Sequence, residues 1–287
     1  MGKILKTLIF DGNVSLSLLE TTDVVNAAIK YHRLSPLCAA GLGRALTAVA
    51  FTASNLKGKD ERVSVTIDGN GAGGRIVVAA DAALNVRGSI DRTDVFLPLK
   101  ADGKLDVGGL VGNKGKITVV KNLGLKEPYV GRCNLVSGEI AEDFTAYYAY
   151  SEQQPTAMAL GVLIGKDGFC EGAGGAVLQP MPDCPEQYIS ECEKLLGHFG
   201  NVSYLMKEGG ATAVAEKYFG QYSFSERETR YKCNCGKRYI DKVLITIGKA
   251  ELDETLKKEG KVEVICHFCD KKYVYKKDDV ERLFKAK

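Results

Sequence analysis

Four cysteines near the C-terminus fall in two tight pairs, Cys233-x-Cys235 and Cys266-x-x-Cys269, separated by 30 residues. Two sulfurs one or two residues apart can reach one ion from a single turn, and the distant pair closes the shell. Four soft ligands in this pattern suit one tetrahedral zinc ion. His267 lies between two of them and is expected to be exposed rather than a further ligand. Thiolates are also the nucleophilic, oxidisable form of cysteine. Peroxide or hypochlorous acid takes a thiolate to sulfenic acid, and a neighbouring cysteine resolves it to a disulfide. A ring across one intervening residue is strained and easily reduced again. The constellation therefore allows a structural zinc ribbon or a reversible redox switch. In both, a module of this size has a small core, and the metal supplies about 10–16 kcal/mol of its apparent folding energy.

The other chemistry-bearing residues are fewer. Cys38, Cys133, Cys170, Cys184 and Cys192 are scattered. Each reads as a small packing residue, although Cys184 and Cys192 could exchange if exposed. Glu139, Glu142 and Asp143 stand at i, i+3 and i+4 of a helical stretch. They could serve as Mg²⁺ ligands or acid/base carboxylates, but a solvated helix start is the preferred reading. Three histidines, at 32, 198 and 267, and no nucleophile elbow give hydrolase chemistry little support, so no enzyme activity is expected. Gly69, Gly71 and Gly74 match G-x-G-x-x-G, but Arg75–Ala80 after them prefers a strand where a dinucleotide site needs a helix. A hairpin is the reading there.

The elements that must position the cysteines come from a chain of 287 residues, 45% hydrophobic and 26% charged. This composition supports a sizeable core and excludes disorder. Strands are expected at Lys3–Phe10, Arg62–Ile67, Arg75–Ala80, Asn85–Ile90, Lys116–Val120, Ala157–Ile164 and Ala176–Gln179, with Asp167–Gly175 as loop. Helices are expected from Thr22 to Arg33, from Pro36 to Leu56 and over Glu139–Ala149. Leu37–Ala53 is apolar but carries Arg44, and reads as a buried helix rather than a membrane span. The order of elements is irregular, so the fold class is α+β: an N-terminal mixed sheet and helix domain over 1–179, a helical linker over 180–225, and a small C-terminal zinc-binding domain over 226–287, a ribbon or a redox switch.

Pro180, Pro182 and Pro185 mark the start of the linker. Tyr188, Ile189, Cys192, Leu195, Leu196 and Phe199 share one helical face. Leu205 and Met206 suit a second short helix, Gly209-Gly210 breaks it, and Tyr218 and Phe219 belong to a third. The face is either packed on the core or able to be uncovered. The segment from 226 holds 17 Lys/Arg against 12 Asp/Glu. Lys237, Arg238, Lys271, Lys272, Lys276 and Lys277 interleave with Tyr239, Tyr273 and Tyr275, which is the basis of an alternative function, a zinc-ribbon nucleic-acid-binding protein. Four thiolates and Zn²⁺ together add −2, so that footprint is thin and nucleic acid is the less favoured partner. The start of the chain has no h-region or small-residue cleavage site, and a cytosolic, reducing location is expected.

Longer motifs carry a resemblance. Leu42-Gly43-Arg44-Ala45-Leu46-Thr47-Ala48, Ser137-Gly138-Glu139-Ile140-Ala141-Glu142-Asp143-Phe144, Ser151-Glu152-Gln153-Gln154-Pro155, Ala173-Gly174-Gly175 with Gln179-Pro180-Met181-Pro182, and Cys266-His267-Phe268-Cys269 resemble the 33-kDa redox-regulated heat-shock chaperone (HslO) family along nearly the whole chain. The resemblance implies an ATP-independent holdase for oxidative stress, inactive while one zinc ion is bound by the reduced thiolates of Cys233, Cys235, Cys266 and Cys269. It implies disulfides Cys233–Cys235 and Cys266–Cys269 on oxidation, zinc release, unfolding of the switch, and a commonly dimeric active form. Unfolded client proteins would then meet the linker residues Tyr188, Ile189, Leu195, Leu196, Phe199, Leu205, Met206, Tyr218 and Phe219.

Overall fold

The computed structural model describes residues 1–285, which divide into two compact units, Met1–Lys232 and a second that begins at Cys233. The first unit runs β1 (Gly2–Ile9), β2 (Val14–Glu20), α1 (Thr22–His32), α2 (Pro36–Ser54), β3 (Arg62–Asp68), β4 (Ile76–Asp81), β5 (Asn85–Ile90), α3 (Val107–Val111), β6 (Lys116–Asn122) and β7 (Tyr129–Asn134). It continues with α4 (Ala141–Tyr150), β8 (Ala157–Ile164), β9 (Cys170–Pro180), α5 (Glu186–His198), α6 (Val202–Phe219) and β10 (Ser225–Tyr231). The strands form one ten-stranded sheet in the order β7-β6-β3-β4-β5-β10-β1-β2-β9-β8. With helices on its faces this is the α+β class expected from the irregular order of elements.

Helix α2 is the hub of the first unit. Ser35 caps it, accepting the Cys38 amide at 3.3 Å, and Pro36 occupies its first turn. It is apolar on every side and touches strands along most of the sheet, from β3 to β8. Its membrane-like hydropathy is thus spent on the core, with 94% of the apolar window buried. α4 packs on both edge strands, β7 and β8, so the sheet curls around α2. The other face of β1, β2, β9 and β8 carries α5 and α6. Strand periodicity divides the two cores: Ile4 and Leu19 point to α2, while Leu5, Leu16 and Leu18 point to α5 and α6.

The Gly69–Gly74 segment is the expected hairpin, joining β3 to β4 and pinned to α3 by Gly71 and Gly73 amides on the Val111 and Leu110 carbonyls. Two other elements depart from the expected pattern. Residues 170–175, expected as loop, belong to β9, an eleven-residue strand. Their glycines do not end the strand but let α6 come close: a Cβ on Gly172 would collide with the Ser203 carbonyl and stand 2.8 Å from the Lys207 amide nitrogen. β10, within the segment assigned by sequence to the C-terminal module, lies in the first unit's sheet, antiparallel to β1 and parallel to β5.

The second unit contains α7 (Lys237–Ile247), α8 (Lys249–Glu259), β11 (Val262–Ile265), β12 (Lys272–Tyr275) and α9 (Lys277–Lys285). β11 and β12 form an antiparallel hairpin. Its core is small: Ile240, Leu244, Leu252, Val262, Tyr275 and Val280 are the fully enclosed apolar side chains.

Candidate metal centre and linker interface

The β11–β12 hairpin presents Cys266-His267-Phe268-Cys269 as its tip. The Cys269 and Asp270 amides both donate to the Cys266 carbonyl, at 3.3 and 2.9 Å, and the Cys266 amide donates to the Lys271 carbonyl at 3.0 Å. Asp270 takes the left-handed conformation, φ 53°, that closes this knuckle. The other pair stands just before α7, whose N-cap is Gly236. The Cys235 amide donates to the Cys233 Sγ at 3.4 Å, folding the C-x-C segment around its own sulfur.

The two turns bring the four Sγ atoms within 4.8 Å of one another. The Cys233 and Cys266 sulfurs are 3.6 Å apart, and those of Cys235 and Cys269 are 3.2 Å apart. In a tetrahedral site with metal–sulfur bonds of about 2.3 Å the sulfurs lie about 3.8 Å apart, so the cluster fits a soft four-coordinate ion with only small adjustment. His267 is exposed and outside the sulfur cluster.

Three of the thiols are shifted, and not in the same direction. Burial raises the Cys235 thiol, but the Tyr273 hydroxyl and then the neighbouring thiols more than offset this, bringing it down to about 7. The Tyr273 hydroxyl also donates to the Cys235 carbonyl at 2.8 Å, so this ring braces the site. Burial pushes Cys233 far up and Cys269 up to about 11. Cys235 stands directly ahead of the N-terminus of α7, a position that favours a thiolate.

The interleaved basic and aromatic residues divide in their exposure: Lys237, Arg238, Lys271, Lys272, Lys276 and Lys277 are exposed, but the tyrosines differ. Tyr275 is buried and donates to Asp241 at 2.8 Å, and Tyr273 faces the sulfurs. Tyr239 alone of the three is open to stacking, at 60% exposed.

The linker residues lie in the first unit. Phe199, Met206 and Phe219 are buried against Leu16, Leu18, Ala176 and Leu178, with Phe199 and Phe219 stacked at 6.4 Å. Tyr188, Leu195 and Leu205 are half-buried around them. Leu196 faces a groove lined by Ala146, Ala149 and Met158 of α4 and β8. Ile189 and Tyr218 point outward, 41% and 40% exposed. The helical face is therefore packed on the sheet, and the apolar strand floor beneath it is a surface the sequence reading did not identify. Its signal was the alternation Val14, Leu16, Leu18. Of the scattered cysteines, Cys38, Cys170 and Cys192 are buried, while Cys133 and Cys184 are half-buried.

The acidic cluster is structural, and less solvated than expected. Asp143 is fully buried, and its carboxylate accepts the amides of Val136, Ser137, Gly138 and Ile140 at 2.8–3.3 Å. Glu139 bonds Arg44 at 2.6 Å and also Lys100. Burial works against its charge, yet Lys100 and Arg44 hold its carboxyl below the usual range. Glu142 alone is exposed. The motifs around Arg44 and Glu139 thus meet in space to lock α2 to the loop before α4.

The chain can be compared with known proteins on this basis. The family model described as "Hsp33 protein" matches residues 2–276. A protein named 33 kDa chaperonin from Acetivibrio thermocellus is 40% identical over 96% of this chain and 94% of its own. A 33 kDa chaperonin from Caldanaerobacter subterraneus subsp. tengcongensis is 38% identical over 98% of this chain and 97% of its own. The crystal structure of the 33 kDa chaperonin (heat shock protein 33 homolog) from Thermotoga maritima superposes with a TM-score of 0.89 at 36% identity, covering 99% of this chain and 98% of that one. With a family model matched over nearly the whole chain, and relatives at 38–40% identity over nearly all of both sequences, the chain belongs to the Hsp33 chaperone family.

Proposed function

We propose that this chain is a redox-regulated, ATP-independent holdase of the cytosol, and that its switch is the Cys233, Cys235, Cys266 and Cys269 cluster. The observation that carries this is the convergence of four sulfurs in a unit whose buried apolar cluster, among the described residues, is small. A unit so small leans on its metal for folding, so losing the metal costs it most of its structure. The metal is read as one zinc ion, which would hold all four sulfurs as thiolates and cross-link the two turns. The division of labour is 1–179 as scaffold, 180–225 as linker and 226–287 as switch, with β10 joining the switch to the scaffold.

Oxidation proceeds pair by pair. Peroxide converts a thiolate to sulfenic acid; a second thiolate displaces the hydroxyl to form the S–S bond. Each disulfide consumes one peroxide, whose two oxygens leave as hydroxide and become two waters by taking two protons from the solvent. The pairing Cys233–Cys235 and Cys266–Cys269 follows the family pattern. The 3.6 and 3.2 Å sulfur contacts cross between the turns instead, joining Cys233 to Cys266 and Cys235 to Cys269. Peptide mapping of the oxidised chain decides it.

Clients are unfolding proteins. The sites are the linker residues Tyr188, Ile189, Leu195, Leu196, Phe199, Leu205, Met206, Tyr218 and Phe219, once α5 and α6 leave the sheet. Helices this short are marginal without tertiary contacts. The active form is read as a homodimer. The test is light scattering of a heat-unfolding protein mixed with reduced, zinc-loaded chain or with peroxide-treated chain. Suppression by the oxidised form alone is expected. Equal suppression by both forms removes the cysteines as the switch, and no suppression by either removes the holdase assignment.

A further inference from the structure

Residues 202–219 run as α6, but Gly210 stands inside it at φ 70°, ψ −173°. That conformation is open essentially to glycine alone. It breaks the hydrogen-bond ladder, so Ala211–Phe219 starts as a new nine-residue helix with unpaired amides at its first turn. One of them is satisfied from another element: the Ala211 amide donates to Glu20 Oε2 at 3.0 Å. Glu20 ends β2, on the same face as Val14, Leu16 and Leu18, the row that α5 and α6 cover. A Cβ on Gly210 would collide with the Glu20 carboxylate, so the glycine also makes room for this contact.

The charged neighbours of Glu20 have partners of their own. Lys3, across the strand pair, bonds Glu226 at 3.1 Å, and the Met1 ammonium bonds Asp23 at 2.5 Å. The carboxylate is thus placed at the positive end of the restarted helix, where a negative charge and an acceptor both stabilise it. Beyond it Ala211, Val214, Ala215 and Phe219 are buried against the sheet.

We propose that Glu20 is a positioning residue that caps Ala211–Phe219 and sets how readily this half of the linker opens. The consequence for client release rests on the holdase reading above; the cap itself does not. A helix of nine residues does not persist by its own propensity, so the cap and the buried face must act together. Opening can then begin at Gly210, with the first half of α6, above Gly172, still in place.

Hydrogen exchange on the full, reduced, metal-loaded chain tests this, comparing Glu20→Ala and Glu20→Gln with the parent. In Glu20→Ala, amides of 211–219 are expected to exchange about five-fold faster, the equivalent of one lost cap, while 202–209 and α2 keep their rates. Glu20→Gln retains the acceptor and loses the charge, so its increase should be smaller. Unchanged exchange over 211–219 in Glu20→Ala overturns the proposal, as does an equal increase over 202–209 and α2. The peroxide dose for half-maximal suppression of aggregation should also fall in Glu20→Ala. If 211–219 exchanges faster but neither protein suppresses aggregation, the cap stands and the holdase reading fails.

Discussion

The rings of Phe10 and Tyr188 lie face to face, centroids 5.1 Å apart and planes within 8°. One directly follows β1, and the other is in the first turn of α5. The Tyr188 hydroxyl adds a hydrogen bond to Asp11 at 3.1 Å. This stack fastens the start of the linker to the sheet, and a pair of this kind contributes about 0.5–1.5 kcal/mol beyond its buried area. Tyr188→Ala is therefore expected to raise the rate of proteolytic cleavage within 186–198 by up to about ten-fold, with little change in the melting of the sheet. Limited proteolysis beside calorimetry measures both. Cleavage at the parent rate would show that α5 is held by other contacts.

The metal centre makes a separate prediction. Cys266→Ser with Cys269→Ser removes half the ligands and the knuckle that closes the core of the second unit. Zinc content should fall below stoichiometric, and amides of Ile240 and Leu244 should lose protection while those of α2 keep it. Chelation of the parent chain should reproduce the pattern. A variant that keeps its zinc and its protection would disprove the four-sulfur assignment.

Gly172 offers a mutation that acts from the sheet side. A valine there would push against the backbone of Ser203 and Lys207. Overpacking of this kind costs about 1–3 kcal/mol, and here the helix rather than the strand can yield. Gly172→Val should partly lift α6 and bind a hydrophobic dye in the reduced state, which the parent should not. Equal dye binding by the two proteins would mean that the helix accommodates the side chain.

Lys6 gives a pH signature. Burial, then the nearby Arg227, lowers its amine to about 8. Its ammonium donates to Asn55 at 2.5 Å and lies 5.4 Å from the Phe51 ring centroid, beside the end of α2. In the unfolded chain the amine titrates near 10.4. Between about pH 8 and 10 the unfolded state binds the extra proton, so this residue's contribution to stability rises with pH across that window. Below pH 8 both states are charged and its cost is constant. Lys6→Met should be more stable at pH 7, on the order of 1 kcal/mol, with a flatter rise towards pH 10. Urea midpoints at pH 7 and 9.5 report this, and parallel curves for the two proteins would refute it.

The cysteine tip was legible because its chemistry is local: each pair sits on one turn, and spacing alone specifies it. α1, α2 and most strands were legible because caps and periodicity announce them. β10 was hidden because its Ser-Glu-Arg-Glu-Thr-Arg-Tyr sequence is polar, and only Thr229 in it is buried. β9 was read short because glycine in a strand signals a turn unless a helix is known to press on it. That the linker's helical face packs on the core was one of the two readings open from its sequence, but where it docks was not readable. Its fasteners join residues far apart in sequence, Phe10 to Tyr188 and Glu20 to Ala211, and no local pattern reports such pairs.

The position of β10 has a mechanical consequence. Residues 181–224 leave the sheet at the end of β9 and return to it at β10, so α5 and α6 are strung between two anchor points in the same sheet. If they melt they form a closed loop of about 44 residues rather than a dangling tail. Its midpoint can rise at most about 75 Å, half the contour of an extended chain of that length. The entropy of such a loop depends only on the logarithm of its length, so the melted state gains less disorder than an untethered chain would. Captured polypeptide would stay leashed to the sheet surface, and the loop could re-anneal without searching for its ends.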